Sequence, residues 1–229
     1  MEQRQVTTEE MPPGRALSPL RVRNGQLKTN CYVCPTSDPG GCILVDPGLD
    51  GPVIDEALSR TGLRPQAVFC THGHFDHIGS CAQYQERFDI PVYLHRDDVR
   101  TASRSNFLLM AFKMNARIVL PRFELVDDGF AVRIGNDEVC YVHTPGHTPG
   151  SSVVLFRDSA FTGDTLYRDG VGLVSLPGED EEQLRRSILG LWSRLPDDAQ
   201  VHPGHGASGP FSAIKQQNTA LRRFLGLES

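Results

Sequence analysis

Apolar residues recur along this chain in short runs, with a period of two in some stretches and a helical period in others. Residues 20–22, 32–34 and 42–45 are brief apolar runs that predict strands. Asp46-Pro47-Gly48 reads as a turn, and helical spacing follows over 53–61. Residues 67–70 form a buried type of strand that runs straight into Thr71-His72-Gly73-His74. A helix is predicted over 79–88 and a strand over 91–94. Residues 106–114 are apolar on nearly every side, with Phe107, Leu108, Leu109, Met110, Phe112 and Met114. Residues 123–126, 131–134 and 139–143 read as a meander of strands, and 152–156 and 160–162 add two more. The clearest amphipathic helix spans 179–195, with Leu184, Ile188, Leu191 and Trp192 sharing a side. A last strand is predicted at 200–202, and a single helix over 211–225 closes the chain.

Consecutive strands without helices between them predict antiparallel pairing, and the helices fall in blocks. The pattern therefore predicts an α+β protein in which two sheets pack together with helices on their outer faces. Residues 1–15 read as a flexible tail, and 16–229 as one domain.

Composition narrows the function classes. The chain of 229 residues carries a net charge of −5 and no cluster of Lys or Arg that would suit nucleic acid or a membrane surface. The polar, acidic N-terminus has no export-signal core, so the expectation is a cytoplasmic protein with neither nucleic-acid nor membrane partners. Six cysteines are then expected as reduced thiols. Cys31 and Cys34 form a C-x-x-C, but no second pair stands at metal spacing, so structural thiols are the expectation.

The histidines carry the chemistry. His72, His74, Asp76 and His77 fall within six residues. Neutral imidazoles and carboxylates suit zinc and similar ions. Residues two apart in an extended loop point the same way, so His72 and His74 can grip one ion. Asp76 and His77 lie where the chain turns into a helix, which favours a second ion beside the first. Gly73 is expected to let the backbone come close to the metal. His147, held between two Pro-Gly turns, is a stiffer candidate than His143, whose expected role is a hydrogen bond to the neighbouring loop. Asp164, in Gly163-Asp164-Thr165, can supply the anionic bridge that offsets repulsion between two cations. His205 lies between two glycines, whereas the strand position of His202 suggests packing and His95 reads as a helix-start or surface residue.

Taken together, H-x-H-x-D-H, a histidine in T-P-G-H-T-P-G-S, G-D-T and a histidine in P-G-H-G resemble the metallo-β-lactamase superfamily in order and kind. The resemblance implies a four-layer αβ/βα sandwich with two divalent ions at one edge, zinc first and iron or manganese as alternatives. It implies that His72, His74 and His147 hold the first ion, that Asp76, His77 and His205 hold the second, and that Asp164 bridges them. Within the superfamily the chain looks most like the glyoxalase II group and its single-domain relatives, which implies a thioesterase. Its substrate is then a small-molecule or carrier-bound acyl compound, attacked by a hydroxide bridging the two ions, with Asp76 orienting the nucleophile and moving a proton. Two departures bear on the substrate. The chain ends before the helical domain of full glyoxalase II enzymes. Leu173 also stands where that group places a basic residue, so a glutathione carboxylate loses its anchor. The rival implied by the same motifs is a mononuclear iron oxygenase similar to persulfide dioxygenases, with iron on His72, His147 and Asp164. A lactonase or phosphodiesterase of the same superfamily is a further alternative. Residues 107–114 are expected either to cap the site and hold an acyl chain or to form a core helix, and residues 167–175 to line the pocket.

Overall fold

The computed structural model describes residues 18–173 and 178–227. The expected tail, 1–15, and Val174 and Ser175 of the expected pocket loop lie outside the described residues. In chain order the elements begin with strands β1 (Leu20–Asn24), β2 (Thr29–Pro35) and β3 (Gly41–Val45), then helix α1 (Gly51–Thr61) and strand β4 (Arg64–Phe69). Helices α2 (Phe75–Ile78) and α3 (Cys81–Phe88), strand β5 (Val92–His95), and helices α4 (Val99–Ser103) and α5 (Ser105–Ala111) follow. Next come strands β6 (Phe123–Val126), β7 (Ala131–Ile134), β8 (Asp137–His143), β9 (Ser152–Phe156) and β10 (Ser159–Gly163). Helix α6 (Glu181–Arg194), strands β11 (Gln200–Pro203) and β12 (Gly209–Pro210), and helices α7 (Phe211–Gln217) and α8 (Thr219–Phe224) complete it.

The strands form two six-stranded sheets, ordered β1-β2-β3-β4-β5-β6 and β12-β11-β10-β9-β8-β7. Strands buried on both faces read as continuous apolar runs, and the alternation within them decides which layer each side chain enters. Along β2 and β3, Cys31, Val33, Cys42 and Leu44 face the helical layer of α1 and α3, beside Ile54, Ala57 and Tyr84. The intervening Tyr32, Cys34, Ile43 and Val45 meet Tyr141, Val154, Phe156 and Phe161 of the other sheet. That second sheet turns Val153, Ala160 and Val201 outward onto Leu184, Ile188 and Leu191 of α6 and onto Phe211 and Leu221. Three apolar seams therefore separate four layers, the αβ/βα sandwich. Cys31 and Cys34 belong to different seams and all six cysteines are free thiols, so the C-x-x-C converges on nothing.

Three sequence expectations are corrected. The pairing is mixed: β3, β4, β5 and β6 run parallel, as do β10 and β11. The expected meander is divided, because β6 pairs with β5 while β7 pairs with β8 in the opposite sheet. The chain crosses between sheets at residues 127–130, a step no local pattern marks. The closing helix breaks at Asn218, whose side chain caps α8 at Leu221 N (2.9 Å) and also bonds the backbone of Gly170. No described helix is long and apolar enough to cross a membrane.

Candidate metal centre

Every candidate ligand lies just past the end of a strand, and the two sheets bring those ends to one edge. His72 and His74 follow β4, and Asp76 and His77 ride on the single turn of α2. His147 sits on the loop between β8 and β9, Asp164 follows β10, and His205 follows β11. The last two loops are tied together through backbone, with Gly204 N donating to Gly163 O at 2.8 Å. Asn30 and Tyr32 fix the His205 loop from the other sheet by donating to Pro203 O at 2.9 and 2.7 Å. Gly163 adopts a left-handed φ of 49° to make its turn. At Gly204 an added Cβ would strike the Asp164 carboxylate and the His77 ring, so this loop must lie against the centre without a side chain.

The structure brings all seven predicted side chains into three overlapping groups: His72, His74 and His147; His72, His77 and Asp164; and Asp76, His77 and His205. His72 Nε2 and His147 Nε2 each stand 3.1 Å from His74 Nδ1. Ligand nitrogens on a tetrahedral zinc are about 3.3 Å apart, from bond lengths near 2.0–2.1 Å. His77 Nε2 lies 3.6 Å from Asp76 Oδ2 and 3.5 Å from Asp164 Oδ1, and His205 Nε2 lies 3.4 Å from Asp76 Oδ2. His77 Nε2 and Asp164 Oδ1 are buried yet have no hydrogen-bond partner among the described residues. Buried polar atoms are ordinarily satisfied, so two orphans aimed into a nest of imidazoles and carboxylates fit a cation.

Protonation follows from burial and neighbours. Burial, reinforced by His147, lowers His74 to about 4, and burial with His77 and His74 nearby lowers His72. Both rings are thus neutral and able to ligate at ordinary pH. Burial opposes a proton on His77, but the carboxylates of Asp76, Asp164 and Asp46 outweigh it and raise His77 to about 10. Burial would raise Asp76, but His77 and His205 hold it well below the usual carboxylate range. For His147 burial is outweighed by Glu179, whose carboxylate stands 3.4 Å from Nδ1, and by Asp164, so its value is raised.

Sequence reasoning missed the residues behind the ligands. Asp46, read only as part of a turn, is buried and receives His77 Nδ1–H at 2.9 Å and the Thr71 amide and hydroxyl at 2.8 and 2.7 Å. Asp98 is wholly buried and accepts from Gly73 N (2.6 Å), Gly150 N (2.9 Å), and the hydroxyls of Thr148 (2.9 Å) and Thr101 (3.1 Å). It thereby clamps the His72–His74 loop to the His147 loop. Thr29 Oγ1 donates to Asp76 Oδ2 at 2.8 Å. Gly73 is needed for a different reason from the expected approach to metal: an added Cβ would stand 2.8 Å from Ala102 N and Asp98 O.

The remaining histidines stay outside. His143 Nε2 donates to Pro149 O at 2.8 Å, and His202 stacks on Phe161. His95 accepts from Asp97 N at the start of a 3-10 turn. His95, Asp97 and His143 form a further group, but the two rings lie parallel within 8° at 4.0 Å, so one ion cannot lie in both ring planes.

A cavity of about 580 Å³ opens above the centre, with His74, Asp76, His147, Asp164 and His205 in its floor. Leu108 and Phe112 line it while Leu109 enters the core and Met114 packs against it, so the 107–114 segment serves both as a wall and as a core element; Tyr167 and Val171 of the expected loop line the cavity too. Burial, then Asp164, raises the Tyr167 hydroxyl well above its usual value. Leu173 packs against the α6 layer instead of offering a polar group to the cavity.

A family model described as the metallo-beta-lactamase superfamily matches residues 24–205. The chain is 31% identical over 210 residues to a probable metallo-hydrolase, YqgX, of Bacillus subtilis (strain 168), covering 89% of this chain and 97% of that protein. It is 28% identical over 198 residues to the probable polyketide biosynthesis zinc-dependent hydrolase PksB of the same strain, covering 86% and 82%. It is also similar to the crystal structure of TTHA1623 in a di-iron-bound form, with TM-score 0.77 and 33% identity over 87% of this chain and 98% of that one.

Proposed function

From the premise that this chain belongs to the metallo-β-lactamase superfamily, we propose that it is a dinuclear metallo-hydrolase that cleaves a thioester or similar ester. The observation that carries this reading is the pair of buried, unpartnered atoms, His77 Nε2 and Asp164 Oδ1, inside overlapping groups of ligands. His72, His74 and His147 would hold one ion, Asp76, His77 and His205 the other, and Asp164 both. When bound, such ions lower the pKa of a water toward neutrality and polarise the scissile carbonyl. The zinc-dependent name of one relative supports zinc, and the di-iron form of the similar structure supports two sites and makes iron the alternative.

The chain's own residues then supply order and proton handling. Asp46 accepts a hydrogen bond from Nδ1–H of His77, which leaves Nε2 facing the centre. Thr29 steadies one oxygen of Asp76, which faces the cavity and can orient the nucleophile and accept its proton. Glu179 places a carboxylate 3.4 Å from Nδ1 of His147 and favours charge on that ring. Burial of the floor keeps bulk water from these charges and strengthens their interactions.

The test is metal analysis of the purified protein together with thioester hydrolysis. The expected result is two equivalents of metal per chain, turnover abolished by chelation and restored by zinc, and a loss of at least a thousandfold in His72→Ala, since His72 belongs to two of the three ligand groups. Turnover that survives His72→Ala or chelation overturns the reading. One iron per chain with oxygen uptake selects the mononuclear oxygenase instead.

A further inference from the structure

The cavity above the metal centre has mainly apolar walls outside the proposed ligands. Leu27 of the β1–β2 turn, Phe75, Leu108, Phe112 and Val171 line it, and among the described residues no Lys or Arg does. Outside the proposed ligands, the one charged lining residue among those described is Asp169, which Arg168 already pairs at 2.9 Å. Leu27 and Phe112 remain 42% and 49% exposed, so each has apolar surface left to cover inside the cavity.

That wall is held in place before anything binds. Ser105 Oγ donates to Gly73 O at 3.2 Å and so ties the start of α5 to the His72–His74 loop. Asn106 brackets the chain beyond the helix, donating to Ile118 O at 3.0 Å and accepting from Ile118 N at 2.9 Å. Leu109 is buried beneath the helix, and the Phe112 ring sits 5.9 Å from that of Phe75. A preformed wall loses little conformational entropy when a ligand fills it.

Resting on the hydrolase reading above, we infer that the cavity seats an apolar acyl chain, with the carbonyl at the metal floor and the chain lying between Leu27 and Phe112. The substrate class is therefore a neutral, medium-chain acyl thioester or ester rather than a conjugate of a charged tripeptide. An anionic carrier would meet no cation along the described lining, whereas each methylene of an acyl chain leaves water on entering it.

The experiment uses metal-loaded protein and straight-chain acyl thioesters of N-acetylcysteamine from acetyl to decanoyl. Beside them go the matching ketones, in which a methylene replaces sulfur and hydrolysis cannot occur. Ketone affinity is read by calorimetry and thioester turnover by thiol release. Both the affinity and kcat/KM are expected to rise about fourfold per added methylene until the cavity is full. Leu27→Ala and Phe112→Ala, at partly exposed positions, should each weaken the decanoyl ketone roughly tenfold and flatten the slope. Met110→Ala, on α5 but outside the cavity, should keep the slope. Ketone affinity that is flat with chain length, or a slope unchanged in both wall variants, overturns the inference. Chain-length-dependent binding without turnover supports the acyl cavity and refutes the hydrolase. Turnover with no chain-length dependence does the reverse.

Discussion

His77 is fully out of water, with Asp46 on one nitrogen and two further carboxylates within 3.6 Å of the other. The carboxylates offset the burial of the ring, yet Nε2 makes no hydrogen bond among the described residues. A cation at that nitrogen would satisfy it, and Asp46 then fixes the ring and raises its basicity. Replacing Asp46 with Asn should weaken metal binding roughly 10–100-fold, the usual effect of removing a partner behind a ligand. Competition titration against a chromophoric chelator measures it, and unchanged affinity would show that Asp46 acts only on the Thr71 turn. The candidate ligands themselves were legible in the sequence because four of them crowd into six residues. Asp46 and Asp98 were not, since an aspartate before Pro-Gly, or after a strand, looks like any turn residue. Apart from Thr101, their named partners lie at least 25 residues away in sequence, and only the folded chain brings them together.

At the scale of elements, short segments were recognised more readily than their partners. Strand β6 ends at Val126 and β7 begins at Ala131, yet the two belong to different sheets. Apolar pattern specifies that a strand is half-buried or fully buried, but carries no information on which neighbour it pairs with. The break at Asn218 did carry a local signal, because Asn followed by Thr favours a new helix start over continuation. Asp98, just before α4, is the main link between the two histidine loops. In Asp98→Ala the amides of Gly73 and Gly150 and the Thr148 hydroxyl lose their acceptor, at about 1–3 kcal/mol for each buried group left unpaired. The variant should therefore lose about 3 kcal/mol or more of stability, read from its urea midpoint at constant m. A loss within about 0.5 kcal/mol, the range of ordinary surface substitutions, would mean that the loops hold their places without it.

For the molecule as a whole, the layered fold works as a frame that forces like groups together, and the consequence is a stability that depends on pH when metal is absent. His74 falls to about 4 in the folded chain from the usual 6.5, through burial and then His147. The unfolded chain therefore takes up its proton first, and stability declines as pH drops from about 6.5 toward 4. His77 behaves in the opposite sense. Burial is outweighed there by Asp76, Asp164 and Asp46, so its value rises to about 10 and its stabilisation, complete below 6.5, disappears as pH climbs through 10. Chelator-treated protein should accordingly be most stable near pH 6.5 and weaker on both sides in guanidinium titrations. A stability profile that is level from pH 4 to 10 would contradict these charge relations. Metal should raise stability throughout the neutral range, since it binds the folded chain preferentially.

The central claim is that loops from both sheets place seven side chains around two cations. Anomalous diffraction from a crystal of the metal-replete protein, collected above and below the metal's absorption edge, tests it most directly. The account predicts two peaks about 3.5–4 Å apart, one beside His72, His74 and His147 and one beside Asp76, His77 and His205, with Asp164 between them. A single peak, or peaks away from those side chains, would contradict it.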